Sequence, residues 1–436
     1  MDRKLMAAAI TAAFAAPAAL AQGTVTIGGT VNVMYDYAKA GGNTGGDVAG
    51  GSNNSLKSHD RVRDGALSNI NFVVTEDLGG GNSAFVQVES AVIQNSDQRT
   101  NAVGGANAGF TNQTNTAVWG NRNSAIGVRS KVAGRFLIGV WDLHYNELYA
   151  VEPGHPVTNA AAGMLGVMNT FGSGFSLSPI IGARYSNIVR WDSPIWGGFS
   201  MTVGYARPTD SAPVNSPGDI RDGKNNRAWG IAPRFESGGF QVRYSYLQDK
   251  DISTNATVSF AGTSLFGGGA VAALSKITGN RLGARYKFGN GIGVGFAWDS
   301  SKWSFSSNTA GAQMDIKRDV WSLPLTFEAG NHMLFGTYAQ SNDWSGSLGG
   351  TSWNATTNPA IGGAAAGGLS FGSETGARFY SLGYSYRLSK RTNVHATYQK
   401  IRNDALVRYD FKDNSSGNTA VGADPESWGF GIRHTF

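Results

Sequence analysis

The stretch GTVTIGGTVNVMYDY, residues 23–37, alternates without a break. Val25, Ile27, Val31, Val33, Tyr35 and Tyr37 fall on one face, and Thr24, Thr26, Thr30, Asn32 and Asp36 on the other. A period of two sustained this long specifies an extended strand with one apolar and one polar face. The pattern returns along the chain. GFSMTVGYA places Phe199, Met201, Val203 and Tyr205 together, and GFQVRYSYLQ does the same with Phe240, Val242, Tyr244 and Tyr246. In NRLGARYKFG, Leu282, Ala284, Tyr286 and Phe288 oppose Arg281, Gly283, Arg285 and Lys287. About sixteen such segments begin near residues 24, 67, 83, 123, 135, 182, 198, 228, 239, 281, 291, 320, 332, 378, 392 and 427. Most run about eight to eleven residues, the length a tilted strand needs to cross a hydrocarbon layer.

The connections fall into two kinds. DLGGGN at 77–82, ESGG at 236–239, FGNG at 288–291 and EAGN at 328–331 are short turns. Long polar stretches rich in Gly, Ser and Asn fill 38–66, 91–121, 142–181, 249–279, 299–318, 341–377 and 402–426. Short turns at one end and long loops at the other describe an all-β, antiparallel transmembrane barrel of sixteen strands, with periplasmic turns and extracellular loops. Closure leaves no unpaired edge and satisfies every backbone group in lipid. A soluble β-sandwich would explain part of the alternation. It would not explain so many aromatic residues near strand ends on the apolar face: Tyr35, Tyr37, Tyr205, Tyr246, Trp298, Trp321, Phe327, Tyr384 and Tyr386. The chain also stops on a strand, SWGFGIRHTF. Trp428, Phe430, Ile432 and Phe436 are expected on the lipid face, with Gly429, Gly431, Arg433 and Thr435 inside. Phe436 is expected to close the sheet against the strand beginning at Thr24.

Composition narrows the class further. Charged residues are only 15% and glycines number 61, yet aromatic residues are too frequent for a disordered chain. The absence of cysteine excludes disulfide scaffolds and thiolate metal sites. Arg3 and Lys4 precede an apolar run that closes on Ala19-Leu20-Ala21, the pattern of a secretory signal peptide over 1–21. Residues 22–436 are then one barrel domain. No later run of apolar residues is long enough for a transmembrane helix.

The stretches TEDLGGGNSAFVQVES, NRNSAIGVRSKVAGRFLIGVWD, RYSNIVRWDSPIWGGFSMTVGYA and GFGIRHTF, together with the first strand, resemble the general porins of Gram-negative outer membranes. The nearest type is the trimeric sixteen-stranded porins of Neisseria and Burkholderia relatives. The resemblance implies an outer-membrane location amid lipid and lipopolysaccharide, a homotrimer, and passive diffusion of small hydrophilic solutes and ions. It also implies a C-terminal Phe436 read by the barrel-assembly machinery and a third extracellular loop folded into the lumen. The sequence departs from that pattern in the loop. DLHYNELYAVEPGHPVTNAAAGMLGVMNTFGSGF is unusually apolar, with Met164, Leu165, Val167, Met168 and Phe171 close together.

A diffusion pore performs no bond chemistry; its preference follows from radius and lining charge. Strand parity turns Arg129 and Lys131 inward against Ile126 and Val128, and Arg135 inward against Phe136 and Ile138. It places Arg184 and Arg190 on a face opposite Tyr185 and Val189. By the resemblance, Arg122, Arg135 and Arg190 lie near recurring basic wall positions. Arg61 and Arg63, just ahead of the second strand, are within reach of the same wall. Acidic partners are expected from the inward loop, as Asp142, Glu147 and Glu152. Further inward cations are Arg243, Arg281, Arg285, Lys287, Arg378 and Arg433, against Asp36, Glu89, Asp299 and Glu328. The excess of positive charge points to a modest anion preference.

Other classes carry weaker signals. GNGIGVG at 289–295 lacks the βαβ setting of a nucleotide site. The scattered basic residues form no stripe for nucleic acid. The six histidines make no Ser/His/acid arrangement, so no enzyme activity is expected and no cofactor is implied. His144 and His155 share a loop with Glu147 and Glu152, where polar loop residues outweigh a metal site. Two alternatives stay open: a solute-specific outer-membrane channel, and a structural or adhesive envelope barrel whose long Gly/Ala/Ser-rich loops matter more than its hole.

Overall fold

The two ends of the chain zip together and close the sheet. In a computed structural model, Thr24–Gly41 (β1) runs antiparallel to Asp424–Thr435 (β21), with Thr30 opposite Thr435 and Gly41 opposite Asp424. The described residues are 23–42, 58–64, 68–92, 119–143, 184–207, 227–250, 259–260, 263–264, 272–307, 313–348, 351–353, 374–405, 409, 411 and 422–436. The predicted signal peptide therefore lies outside them, as do Glu147 and Glu152.

Between the two closing strands lie β2 (His59–Asp64), β3 (Asn69–Gly79), β4 (Asn82–Ala91), β5 (Ser124–Ser130), β6 (Gly134–Trp141), β7 (Tyr185–Asp192), β8 (Phe199–Ala206), β9 (Arg227–Ser237) and β10 (Phe240–Lys250). They are followed by β11 (Ser259–Phe260), β12 (Thr263–Ser264), β13 (Ala272–Lys287), β14 (Ile292–Ser307), β15 (Gln313–Ala329), β16 (His332–Ser341), β17 (Ser345–Leu348), β18 (Thr351–Trp353), β19 (Ala377–Arg387) and β20 (Thr392–Asn403). β2 and β3 both pair with β1, end to end, and make one interrupted stave. β11 pairs only with β12, and β17 with β18 forms a hairpin that extends the sheet above β15. The remaining strands pair in succession, which gives a closed antiparallel barrel of sixteen staves.

Two features of the sequence position these staves. The outward face is apolar and bare: Val25, Ile27, Ile126, Ile138, Leu325, Leu382 and Phe430 are all more than half exposed. So continuous an exposed band has no place in water and suits hydrocarbon. Aromatic neighbours gather along its margins, including Tyr37 stacked on Trp428, Trp229 beside Tyr246, and Tyr338 between Trp321 and Tyr380.

β13, β14 and β15 run farther than the alternation predicts, β13 from Ala272 and β14 and β15 through most of 299–318. The reason is physical. Beyond the apolar band the outward positions carry ion pairs such as Lys302–Asp315 and Lys317–Asp319. The strands continue there, but the apolar half of the period is gone. β2 escaped for a similar reason: HDRVRD is almost wholly polar.

Candidate functional site: a charged wall in the bore

Parity along β4 to β8 decides which side chains enter the lumen. On β5, Ile126 and Val128 face outward and Arg129 inward; on β6, Phe136 and Ile138 face outward and Arg135 inward. Arg129 and Arg135 are direct cross-strand neighbours. Like charges in that relation repel unless something spreads or neutralises them. Arg129 lies flat over the Phe85 ring, 4.1 Å from its centroid, and Phe85 itself fills the space beside Gly127. Arg135 turns the other way, to Asp192, with its Nε 2.7 Å from Oδ2 and its cation 5.2 Å from the Trp141 ring.

Asp192 is the hub. Arg190 donates from Nε to its Oδ1 at 2.9 Å, and Thr202 donates its hydroxyl to the same oxygen. Arg190 also donates from Nη1 to the Asp142 carbonyl at 2.7 Å, which ties the wall to the chain leaving β6. Arg122 pairs with Glu89, and Arg184 approaches Asp142 at 3.9 Å while bonding Asn123 at 3.0 Å. Among the described residues five guanidiniums (Arg122, Arg129, Arg135, Arg184 and Arg190) thus meet three carboxylates, Glu89, Asp142 and Asp192.

Several expectations change here. Among the described residues the acids on this wall are Glu89 of β4, Asp192 of β7 and Asp142 at the start of the loop; Glu89 and Asp192 come from the strands themselves. Lys131 sits in the β5–β6 turn against Gly81, at the rim and not in the wall. Tyr185 is not on the outer face. It is buried and its hydroxyl bonds Asp249 at 3.3 Å. The cause is a bulge: one extra residue of β7 intervenes between the Gly139–Ile188 and Trp141–Tyr185 pairs, and Asn187 takes a φ of 53°. An extra residue reverses parity beyond it. Arg378 likewise lies on the outward face, exposed beside Tyr380, because β19 buries Phe379. For Arg61 and Arg63 the backbone register gives the partners Asp36 and Met34 on β1.

The chain after β6 turns into the bore. Leu143 is buried against Gly204 of β8 and Gly230 of β9, which are register partners on the lumen face. A Cβ on Gly204 would run into Leu143 Cδ2. The two glycines therefore form a notch that Leu143 fills, and a larger residue there would displace its tip. Toward the long-loop end the inward residues are closed off: Ala206, Ala228, Leu247, Val320, Phe379 and Ile401 are fully buried. Toward the short-turn end they are partly open, with Arg135 28%, Arg234 32% and Lys287 47% exposed.

Among the described residues no group of three His, Cys, Asp or Glu could hold a metal ion. A closed barrel of sixteen staves, apolar outside and charged within, defines an outer-membrane β-barrel of the porin fold. A family model described as Gram-negative porin matches residues 7–406, and the chain belongs to that family. It is 27% identical over its full length, and the full length of the relative, to an outer membrane porin protein of Bordetella pertussis. Among solved structures it is similar to the anion-selective porin from Comamonas acidovorans, at 19% identity and a TM-score of 0.62, covering 95% of this chain and 100% of that one. It is also similar to OmpT of Vibrio cholerae, at 13% identity and a TM-score of 0.55, covering 95% and 98% of the respective chains.

Proposed function

We propose that this protein is a water-filled outer-membrane pore for passive diffusion of small hydrophilic solutes and ions, with a modest preference for anions. The observation that carries the preference is the wall itself: among the described residues five guanidiniums stand against three carboxylates, and Arg129 lies over the Phe85 ring while its neighbour Arg135 takes Asp192. Fixed positive charge in a narrow bore raises the local anion concentration, and salt screens the effect. The name of the Comamonas neighbour speaks of anion selectivity; the likeness to it supports the fold, and the charge pattern supports the preference. The same reading takes the chain as a trimer of the Neisseria and Burkholderia type, delivered by a signal peptide over 1–21 and held in lipid and lipopolysaccharide. Phe436 serves as the assembly signal in this reading, and Glu147 and Glu152 add acidic charge to the constriction, which keeps the preference modest while Arg129 holds the local positive field.

Swelling of liposomes reconstituted with the purified protein tests the pore. Entry of uncharged sugars is expected, at rates that fall steeply with sugar size. A folded protein that passes no sugar would overturn the reading. The full burial of inward residues toward the long loops favours a second reading, a narrower solute-specific channel. In that case swelling is confined to one chemical class and saturates with concentration.

A further inference from the structure

A second group of cations faces the lumen away from the β4–β8 wall. Arg234 on β9 and Arg243 on β10 are register partners, and Gln241 of β10 lies between Glu236 of β9 and Arg285 of β13. Glu236 divides its oxygens, one 2.8 Å from Arg234 Nη2 and the other 3.8 Å from Arg243 Nη2. No carboxylate among the described residues pairs with Arg285, while the neighbouring Lys287 is held by Glu328 at 2.8 Å. Arg234 and Arg243 thus share one carboxylate, and Arg285 has none among the described residues.

The Nε donors of Arg234 and Arg285 are buried and without a hydrogen-bond partner, as is the amide oxygen of Gln241. Buried donors on charged groups are ordinarily satisfied, and an exception asks for an explanation. Glu236, Gln241, Arg285, Lys287 and Glu328 border a cavity of about 1010 Å³ at the short turns 237–239, 288–291 and 329–330; of the three arginines only Arg285 lines it, and Arg234 and Arg243 connect to it through Glu236.

We infer that Arg234, Arg243 and Arg285 form a second anion station in the short-turn half of the bore, one that takes small solutes carrying two or more oxyanion groups. The inference rests on the pore reading and deepens it. Adjacent strands lie about 4.8 Å apart, so guanidiniums on β9, β10 and β13 are spaced to meet anionic groups a few bonds apart. The guanidinium fork suits carboxylate and phosphate oxygens equally, and a monovalent halide engages only one fork at a time. Polycarboxylates and phosphate compounds share this chemistry.

Single-channel recording of the purified native oligomer tests it, with citrate in one arm and inorganic pyrophosphate in the other, added on the short-turn side. Brief current interruptions are expected, with a frequency that saturates with concentration. Arg285→Gln and Arg234→Gln are expected to shorten the residence time about tenfold, Arg285→Lys less, and Glu236→Gln to lengthen it. Arg135→Gln is expected to move the reversal potential and keep saturable block. The arm that blocks longer identifies the preferred oxyanion. Block that is linear in concentration, or indifferent to Arg234→Gln and Arg285→Gln in oligomers of normal heat stability, would overturn the station. If a glutamine variant does not assemble, Arg285→Lys and Glu236→Gln decide. Should the folded wild type carry no current in potassium chloride, the pore reading fails on its own. Calorimetric titration of the detergent-solubilised oligomer with citrate then still decides whether the station exists.

Discussion

Asp192 holds Arg135, Arg190 and Thr202 at once, so its single negative charge governs how much of the wall's positive potential reaches a passing ion. Two unit charges about 4 Å apart interact by roughly 1 kcal/mol in water, enough for about a fivefold change in a partition ratio. Asp192→Asn is therefore expected to increase the chloride-to-potassium permeability ratio severalfold, and Arg135→Gln to reduce it, both read from reversal potentials. An unchanged ratio in Asp192→Asn would place the selective field elsewhere. At this scale the sequence is legible wherever parity is unbroken. Arg129 and Arg135 follow directly from their apolar neighbours. Tyr185 does not, because a bulge at Asn187 leaves no mark in the alternation. Asp192 was hidden too, since WDSP reads equally well as the start of a turn.

At the scale of elements, the path of the chain after β6 depends on a two-glycine notch. Gly204→Val puts methyl groups where Leu143 sits, and overpacking of this kind costs about 1–3 kcal/mol. The expected result is a lower unfolding temperature together with an altered single-channel conductance. A conductance equal to wild type would mean that Leu143 does not help set the bore.

The opposite side of the barrel carries its own anchor. Trp344 donates from Nε1 to the Tyr409 hydroxyl at 2.8 Å, and Asn403 clasps the Tyr409 backbone. Beside it, burial raises the pKa of Asp404; Arg378 opposes the shift, and Asp343 and Glu374 add to it. An acid whose folded pKa exceeds its unfolded one binds its proton more readily when folded, so stability rises as pH falls through that raised value. The protection factors of backbone amides near Tyr409, corrected for the intrinsic pH dependence of exchange, are expected to rise as the solution is acidified. Asp404→Asn is expected to flatten this dependence. The staves themselves were legible in the alternation, all sixteen of them. The extensions of β13 to β15 were not, because beyond the lipid band a strand has no reason to keep one face apolar.

For the molecule as a whole, Phe436 ends the closing seam between β1 and β21. Phe436 donates its N–H to the Gly29 carbonyl and accepts from the Gly29 N–H, both at 3.1 Å, and its ring lies where a Gly29 side chain would be. Deletion of Phe436 removes both bonds at the seam. It is expected to lower the yield of heat-resistant folded barrel on denaturing gels without changing the selectivity of the molecules that do fold. This seam is readable from the alternation of Trp428, Phe430 and Ile432 against Tyr37, Tyr35 and Val33, which lets the last and first staves share one apolar face. The bulge at Asn187 is not readable in that way, because the alternation on either side of it looks unbroken.

The central claim is that the bore conducts and that its wall favours anions. The most direct measurement is the zero-current potential of the purified oligomer in a planar bilayer under a potassium chloride gradient. The account predicts open-channel conductance with a potential on the anion side that shrinks in Arg135→Gln. A potential on the cation side, or a folded oligomer that carries no current, would contradict it.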